Sequence, residues 1–377
     1  MTGAHTASVD FDLHGLAGIR LVDATPAEIA AVRRQVGPVE GKLGREPDLI
    51  IRFVDRLPLT STPRYLGLHD AAFTDSAFLV LRGRHKAPVR VAIPFDRLGH
   101  EPCEIVCERG LSAVPLLIPI INLVVLANGA LPLHASAFIY RGTGVLVTGW
   151  AKGGKTEALL TFMLQGAHYV GDEWVYVDPE HSRMYGIPEP IRVWDWHLAE
   201  LPPYRAKLTR ADRIRLRALG WGARRAEHLA RLNGNGRWAA VRLVRRALPL
   251  IERQRHAHLA PHEAFGPDAV ALCGRLDTLF FVVSHASPEI AVVPADPGEI
   301  ARRMAFSLRE ERSAFLSYYH KFRFAFPGAH NPLIDNLEAI EQERLERALA
   351  DKEAYTVYHP YPFSLSALYE VMRAWLP

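Results

Sequence analysis

Apolar residues recur in short alternating or β-branched runs at positions 49–54, 77–81 and 89–93, the spacing of half-buried strands. Ahead of them, Thr25-Pro26-Ala27-Glu28 places a cap residue, a proline and an acid before a helical stretch, which predicts one early helix. The first 110 residues thus read as a β-rich section. Residues 111–140 carry no charge, which raises the question of a membrane span. Pro115, Pro119, Asn122, Asn128, Gly129 and Pro132 interrupt that run. What remains, positions 117–128, is a helix of about 12 residues, short of the ~20 needed to cross a bilayer, so a buried core helix is expected.

Residues 131–140 read as one strand, with a turn at Arg141-Gly142-Thr143-Gly144. A strand over 145–148, a glycine-rich loop, a helix from 155 to about 165 stopped by Gly166, and a strand over 169–177 follow. Strand, loop, helix and strand in that order form an α/β unit. Residues 201–256 differ in kind, with fifteen Lys/Arg against three Asp/Glu. Their apolar residues (Ile214, Leu216, Leu219; Val241, Leu243, Val244, Leu248) keep helical spacing, and Asn233-Gly234-Asn235-Gly236 separates the two sets. This predicts a basic helix pair inserted into, or set beside, the α/β core. Strands at 279–283 and 289–293 and helices at 297–307, 334–352 and 365–375 complete the pattern. The expected organisation is a β-rich section at 1–110, a core at 111–200, a basic helical insertion at 201–265, and the rest of the core at 266–377.

Composition changes this little. With 377 residues, 49% apolar and 23% charged, the chain is ordinary globular protein of two domains, or of one large domain with an insertion. A net charge of +4 does not imply nucleic-acid binding. Three cysteines cannot build a disulfide framework. Cys103 and Cys107 share one strand face with Ile105, as small buried hydrophobes would. The first 15 residues lack a basic-then-apolar signal pattern, and a reducing cytoplasmic setting is expected.

Chemistry enters at Gly149-Trp150-Ala151-Lys152-Gly153-Gly154-Lys155-Thr156, which fits G-x-x-x-x-G-K-[ST], the Walker A phosphate loop. Backbone N–H groups wrap phosphate oxygens in such a loop, which needs glycine where a Cβ would block approach. The helix that begins there points its positive end at the anion. Lys155 would reach the β/γ-phosphates and the Thr156 hydroxyl would take a place on Mg²⁺. As a loop residue Lys155 is expected to be exposed, so that its replacement leaves the fold intact. ATP and Mg²⁺ are the expected cofactors.

Leu133-His134-Ala135-Ser136-Ala137, the loop ending Gly154-Lys155-Thr156-Glu157, and Gly166 followed by Val170-Gly171-Asp172-Glu173-Trp174-Val175 together resemble the HPr serine kinase/phosphorylase family, including the kinases of lasso-peptide precursors. The resemblance spans residues 131–177. It implies a P-loop nucleotide-binding domain of HPr-kinase type. It also implies roles at matching positions: Asp172 as general base, His134 beside the phosphates, Glu157 after the loop, and Glu173 in place of a second aspartate at the metal. Glu189 and Arg192 stand near the family's glutamate-and-arginine signature, from which Pro190 departs, so the resemblance is not extended to a phosphorylase activity. Without that context, Asp172 and Glu173 would be a solvated strand end and His134 a structural core histidine. Trp174, Tyr176, Trp194 and Trp196 alternate with period two, as a packed strand face would.

The arginines of the basic section are either a solvated face or a surface for an acidic partner. Arg224-Arg225 and Arg245-Arg246 are the places for paired anion contacts. The expected function is transfer of the ATP γ-phosphoryl group to a serine-type hydroxyl of a peptide or protein. The alternatives are a small-molecule kinase acting on an anionic metabolite and a non-catalytic NTP-binding module.

Overall fold

The computed structural model describes residues 8–83, 86–232, 248–249 and 251–377. The chain is a mixed α/β protein built on several sheets. Its front section is an eight-stranded sheet of β1 (Val9–Leu13), β2 (Ala17–Val22), β3 (Leu49–Val54), β4 (Arg64–Leu66), β5 (Ala71–Phe73), β6 (Phe78–Arg82), β7 (Pro88–Ala92) and β8 (Cys103–Glu108). Their order is β1-β2-β3-β8-β7-β6-β5-β4. Strand β3 lies parallel to both β2 and β8. The helix Pro26–Val36 makes the crossover between β2 and β3. Cys103, Ile105 and Cys107 all point inward from β8, where burial pushes the Cys103 thiol up to about 12.

The uncharged run forms the helix Leu117–Ala127, packed on the main core. Among the described residues no helix is long and apolar enough to cross a membrane. The chain then departs from the sequence expectation twice, for one reason. Residues 131–140 form two strands, β9 (Leu131–His134) and β10 (Ser136–Tyr140), and residues 169–177 likewise divide into β12 (His168–Gly171) and β13 (Trp174–Asp178). The pairs break side by side and pass together from one sheet into another. β10 and β12 belong to a six-stranded sheet of order β12-β10-β11-β18-β20-β19, and β9 and β13 to a four-stranded sheet of order β17-β14-β13-β9. Apolar patterning registers that both halves are buried, and does not register that they are buried in different sheets.

In the six-stranded sheet, β11 (Thr143–Gly149) and β20 (Glu353–His359) flank β18 (Thr278–Ser284), and both run parallel to it. β19 (Ala291–Pro294) closes the edge, shifted from the expected 289–293. The helix expected over 334–352 is two, Pro332–Asp335 and Leu337–Leu349, and strand β20 follows in a stretch for which the sequence pattern predicts no element. The helix from Pro297 extends to Glu311, and Ser313–Ala325 adds one not foreseen. The four-stranded sheet is completed by β14 (Arg183–Gly186) and β17 (Cys273–Arg275), and β15 (Ile191–Trp194) pairs with β16 (His256–Leu259). Of the basic section, helices Pro202–Lys207 and Arg210–Leu232 are seen. Asn233-Gly234-Asn235-Gly236 and Val241 to Val244 lie outside the described residues, and of the second helix of the pair only the helical residues 248–249 and 251–253 are described.

The front sheet is tied to the later helices by Asn331, a fully buried polar side chain. Its Nδ2 donates to the carbonyls of Phe95 (2.8 Å) and Leu98 (2.9 Å), while its Oδ1 caps the helix Pro332–Asp335 by accepting from Leu333 and Ile334. Asn331→Ala would remove the cap and leave two buried carbonyls unpaired. A loss of about 2–4 kcal/mol is expected, read as a lowered urea midpoint at unchanged m-value.

Candidate functional site

The glycine-rich loop joins the end of β11 to the helix Lys155–Leu164. Gly149 has φ of 149° and lies so close to β18 that a Cβ would stand 2.6 Å from the Val282 carbonyl oxygen. Gly154 has φ of 108°, and a Cβ there would meet His359 at 2.9 Å. Glycine is required at both positions by backbone angle and by space. His359, at the end of β20, donates from Nε2 to the Gly153 carbonyl (2.7 Å) and so braces the loop. Gly153, Gly154, Lys155, Thr156 and Glu157, with Ala151 and Lys152, line a cleft of about 490 Å³. Trp150 stands at the loop's apex, 54% exposed.

Lys155 corrects the expectation of an exposed loop lysine. It opens the helix and is only 6% exposed, and its Nζ donates to the carbonyls of Gly149 (3.3 Å) and Trp150 (3.0 Å). Burial holds its pKa below the usual lysine range, against the opposing pull of Asp172, Glu173, Glu311 and Glu157.

The double strand break brings the remaining chemistry to the loop. Asp172 and Glu173 occupy the gap between β12 and β13, Glu173 with φ of 65°. Opposite them the gap between β9 and β10 is Ala135, whose N–H donates to the Glu173 carbonyl at 3.2 Å. Asp172 turns inward and is buried. It accepts a hydrogen bond from the Ser136 hydroxyl, and the Thr156 hydroxyl lies 3.1 Å from both of its oxygens. Burial first, and the Glu173 charge second, push the Asp172 carboxyl up to about 7 despite these bonds.

Glu173 turns the other way, 3.0 Å from His134 Nε2. His134 Nδ1 meets Glu311, the last residue of the helix Pro297–Glu311. Burial lowers the histidine's pKa, but the two carboxylates outweigh it and the net shift is upward. Glu173 is correspondingly held below its ordinary value by the bond from His134. With a carboxylate on each ring nitrogen, both nitrogens are donors and the ring plane is fixed.

Glu157 is a second buried carboxylate, 3.0 Å from His197 Nε2. His197 Nδ1 accepts the Trp194 N–H at 3.2 Å, so the proton of the neutral ring sits on Nε2 and is donated to Glu157. Although burial alone would raise it, the His197 bond leaves Glu157 with a lowered pKa.

Of the other sequence candidates, Arg192 on β15 lines the cleft, and its charge helps to lower the pKa of Glu173. Its Nε is buried with no hydrogen-bond partner among the described residues. Glu189 is not among the cleft-lining residues; its charge is felt instead by the buried Tyr169 and Tyr176. Arg224 and Arg225 sit exposed on the helix Arg210–Leu232, where Arg225 covers the Trp221 ring at 4.6 Å, and neither lines the cleft. Arg245 and Arg246 lie outside the described residues. The expected strand face of aromatics divides: Tyr176 is buried, Trp174 packs on His134 at 5.9 Å, and Trp194 and Trp196 line the cleft.

Sequence reasoning passed over Ser136, His197, Glu311, Arg253 and Tyr361, all at the cleft or bonded to its residues. Glu311 carried a legible signal, since an acid at a helix C-terminus opposes the dipole and needs another reason to be there. Among the described residues no group of three or more His, Cys, Asp or Glu is arranged to hold a metal. Thr156 and Asp172 nonetheless offer hard oxygens in contact, the donor set of a Mg²⁺ completed by phosphate and water.

A second cleft of about 580 Å³ lies on the front sheet among Tyr65, Arg82, Arg90 and Arg109. Its arginines are engaged: Arg82 with Asp70 (3.6 Å), Arg90 with Glu108 (3.6 Å), and Arg109 with Glu28 and Asp55 (3.0 Å each).

No family model matches the chain, and no curated protein matches its sequence. Among solved structures, the Hpr(Ser) kinase/phosphatase from Coxiella burnetii is similar over 51% of this chain and 97% of its own, at 14% identity and a TM-score of 0.22. A likeness that low carries no weight for fold or activity.

Asp172 yields a pH prediction. Its folded-state pKa lies above the ordinary 3.8, so the folded protein loses stability as pH rises from about 4 to about 7, and the whole penalty is present above that. In EDTA, Asp172→Asn should therefore stabilise the protein by on the order of 1–4 kcal/mol at pH 8. The gain should shrink toward pH 4.5, as read by urea unfolding at each pH.

Proposed function

We propose that this chain is an ATP-dependent kinase that transfers the γ-phosphoryl group to a hydroxyl, with a serine-type side chain of a peptide or protein as the acceptor. The observation that carries the reading is the contact of Thr156, in the first turn after the glycine-rich loop, with the buried Asp172. A phosphate loop alone is compatible with any nucleotide protein. A carboxylate held at that loop, in reach of where the γ-phosphate would lie, is what proton abstraction from an attacking hydroxyl requires.

In this reading the loop N–H groups and Lys155 hold the phosphates, and Lys155 leaves the Gly149 and Trp150 carbonyls to do so. The acceptor oxygen attacks the γ-phosphorus as the bond to the β-phosphate breaks, ADP leaves, and Asp172 takes the hydroxyl proton. Thr156 and Asp172 would hold Mg²⁺, which when bound neutralises phosphate charge. Its charge would also draw the Asp172 pKa down and favour the ionised base. His134, held in plane by Glu311, would turn its Nε2–H from Glu173 to a phosphate oxygen when the nucleotide binds. Glu173 is then a positioning residue for His134, not a metal ligand, and Glu189 has no part in the metal site. The core of the kinase would be the six-stranded sheet with its loop, with the front sheet and the basic helices as appended sections.

Transfer of labelled γ-phosphate from ATP to a panel of serine peptides and hydroxyl-bearing metabolites tests this. Lys155→Ala should abolish transfer, and because the lysine is buried a modest loss of stability should accompany it. Asp172→Asn should lower kcat by roughly 10²–10⁴, and undiminished turnover there would sink the base assignment. Glu311→Gln should lower kcat roughly 10- to 100-fold with little change in KM for ATP, since it acts through the orientation of His134.

A further inference from the structure

The reading above uses one end of the cleft and leaves the other without a role. The loop helix makes about 100° between successive side chains. Thr156 therefore turns to Asp172 while Glu157, its neighbour, turns to His197. Beyond His197 the cleft wall becomes aromatic. Trp196 packs edge-on against the His197 ring (4.2 Å between centroids, 67°). Tyr361 stands edge-on to Trp196 (5.9 Å, 85°). Phe363 closes the base of the cluster, 6.1 Å from Trp196 and 6.3 Å from Tyr361.

Two bonds fix this wall to the phosphate loop. His197 is joined to Glu157, and His359, two residues before Tyr361, is joined to Gly153. Phe363 itself reaches the loop, lying 3.6 Å from where a Cβ on Gly154 would stand. The acid nearest this wall, Glu157, is bound to His197, although its charge is still felt at Tyr361. Tyr361 nevertheless remains 59% exposed at the cleft mouth. An aromatic face held rigidly beside a phosphate loop, and left open to the cleft, suits a flat unsaturated ring joined to a phosphate chain.

We infer that Trp196 and Tyr361 seat the purine base of the nucleotide, its triphosphate running over the loop toward Asp172 and His134. The inference rests on the reading of the cleft as an ATP site, and it gives Trp196 and Tyr361 a role in ligand choice. Stacking of a base on an aromatic side chain is sequence-tolerant but large enough to measure by truncation.

Calorimetric titration of the full chain with Mg²⁺-ATP and, separately, Mg²⁺-tripolyphosphate separates the two claims. Tyr361→Ala, at an exposed position, and Trp196→Leu should each weaken ATP about tenfold and leave tripolyphosphate unchanged. Unaltered ATP affinity in both variants would overturn the base seat, as would parallel losses for ATP and tripolyphosphate. A wild-type protein that binds tripolyphosphate as tightly as ATP would also overturn it while sparing the phosphate site. One that binds neither ligand would remove the ATP reading and the base seat with it.

Discussion

A carboxylate out of contact with water is costly unless something compensates its charge, and the neighbourhood of Asp172 is organised around that cost. Two hydroxyls, from Ser136 and Thr156, are its bonding partners, and they do not suffice to keep its pKa in the ordinary range. Each belongs to a different part of the fold. Ser136 begins β10, just past the strand break, and Thr156 belongs to the helix that opens at the glycine-rich loop. The aspartate is therefore the point at which the sheet crossing and the loop are held together. A site strained in this way favours a cation beside it, and the loop favours an anion. In the proposed function, the Mg²⁺ salt of a nucleotide would satisfy both demands at once.

The rest of the cleft follows a similar economy of paired charges. His134 is fixed by a carboxylate on each nitrogen, and Glu157 by a histidine whose other nitrogen is already occupied. Each pair spans separate elements: β9 with the strand break and a distant helix, the loop helix with the helix Asp195–Glu200. Truncating one partner leaves the other buried and uncompensated, so catalytic and structural losses at these positions are expected to be entangled. Kinetic parameters and stability therefore need to be read together.

The chain's own letters disclosed the local parts of this arrangement and not the long-range ones. Strands such as Leu49–Val54, the core helix Leu117–Ala127 and the loop between β11 and its helix follow from periodicity and turn chemistry, which act over a few residues. The double strand break does not, because an apolar run that changes sheets keeps its alternation. Strand β20 has no counterpart among the expected elements, since the polar Glu353, Thr356 and His359 break up its apolar residues. Within the cleft, His134, Lys155, Thr156, Asp172 and Glu173 were legible through a motif and its spacing. Glu311, His197 and Tyr361 come from segments 24 to 188 residues beyond Glu173, and only folding brings them in. Lys155 was legible in identity and misjudged in setting, because a lysine that opens a helix can fold its stem inward and donate to the loop's own carbonyls.

The central claim is that Thr156 and Asp172 together form the metal-bearing end of a nucleotide site. A crystal structure with Mn²⁺ and a non-hydrolysable ATP analogue, phased for the manganese anomalous signal, tests it most directly. The account predicts one anomalous peak within bonding distance of the Thr156 hydroxyl, beside Asp172, with the triphosphate lying along residues 149–156. A nucleotide bound elsewhere, or a manganese peak on Glu173 or Glu189 with Thr156 still hydrogen-bonded to Asp172, would contradict it.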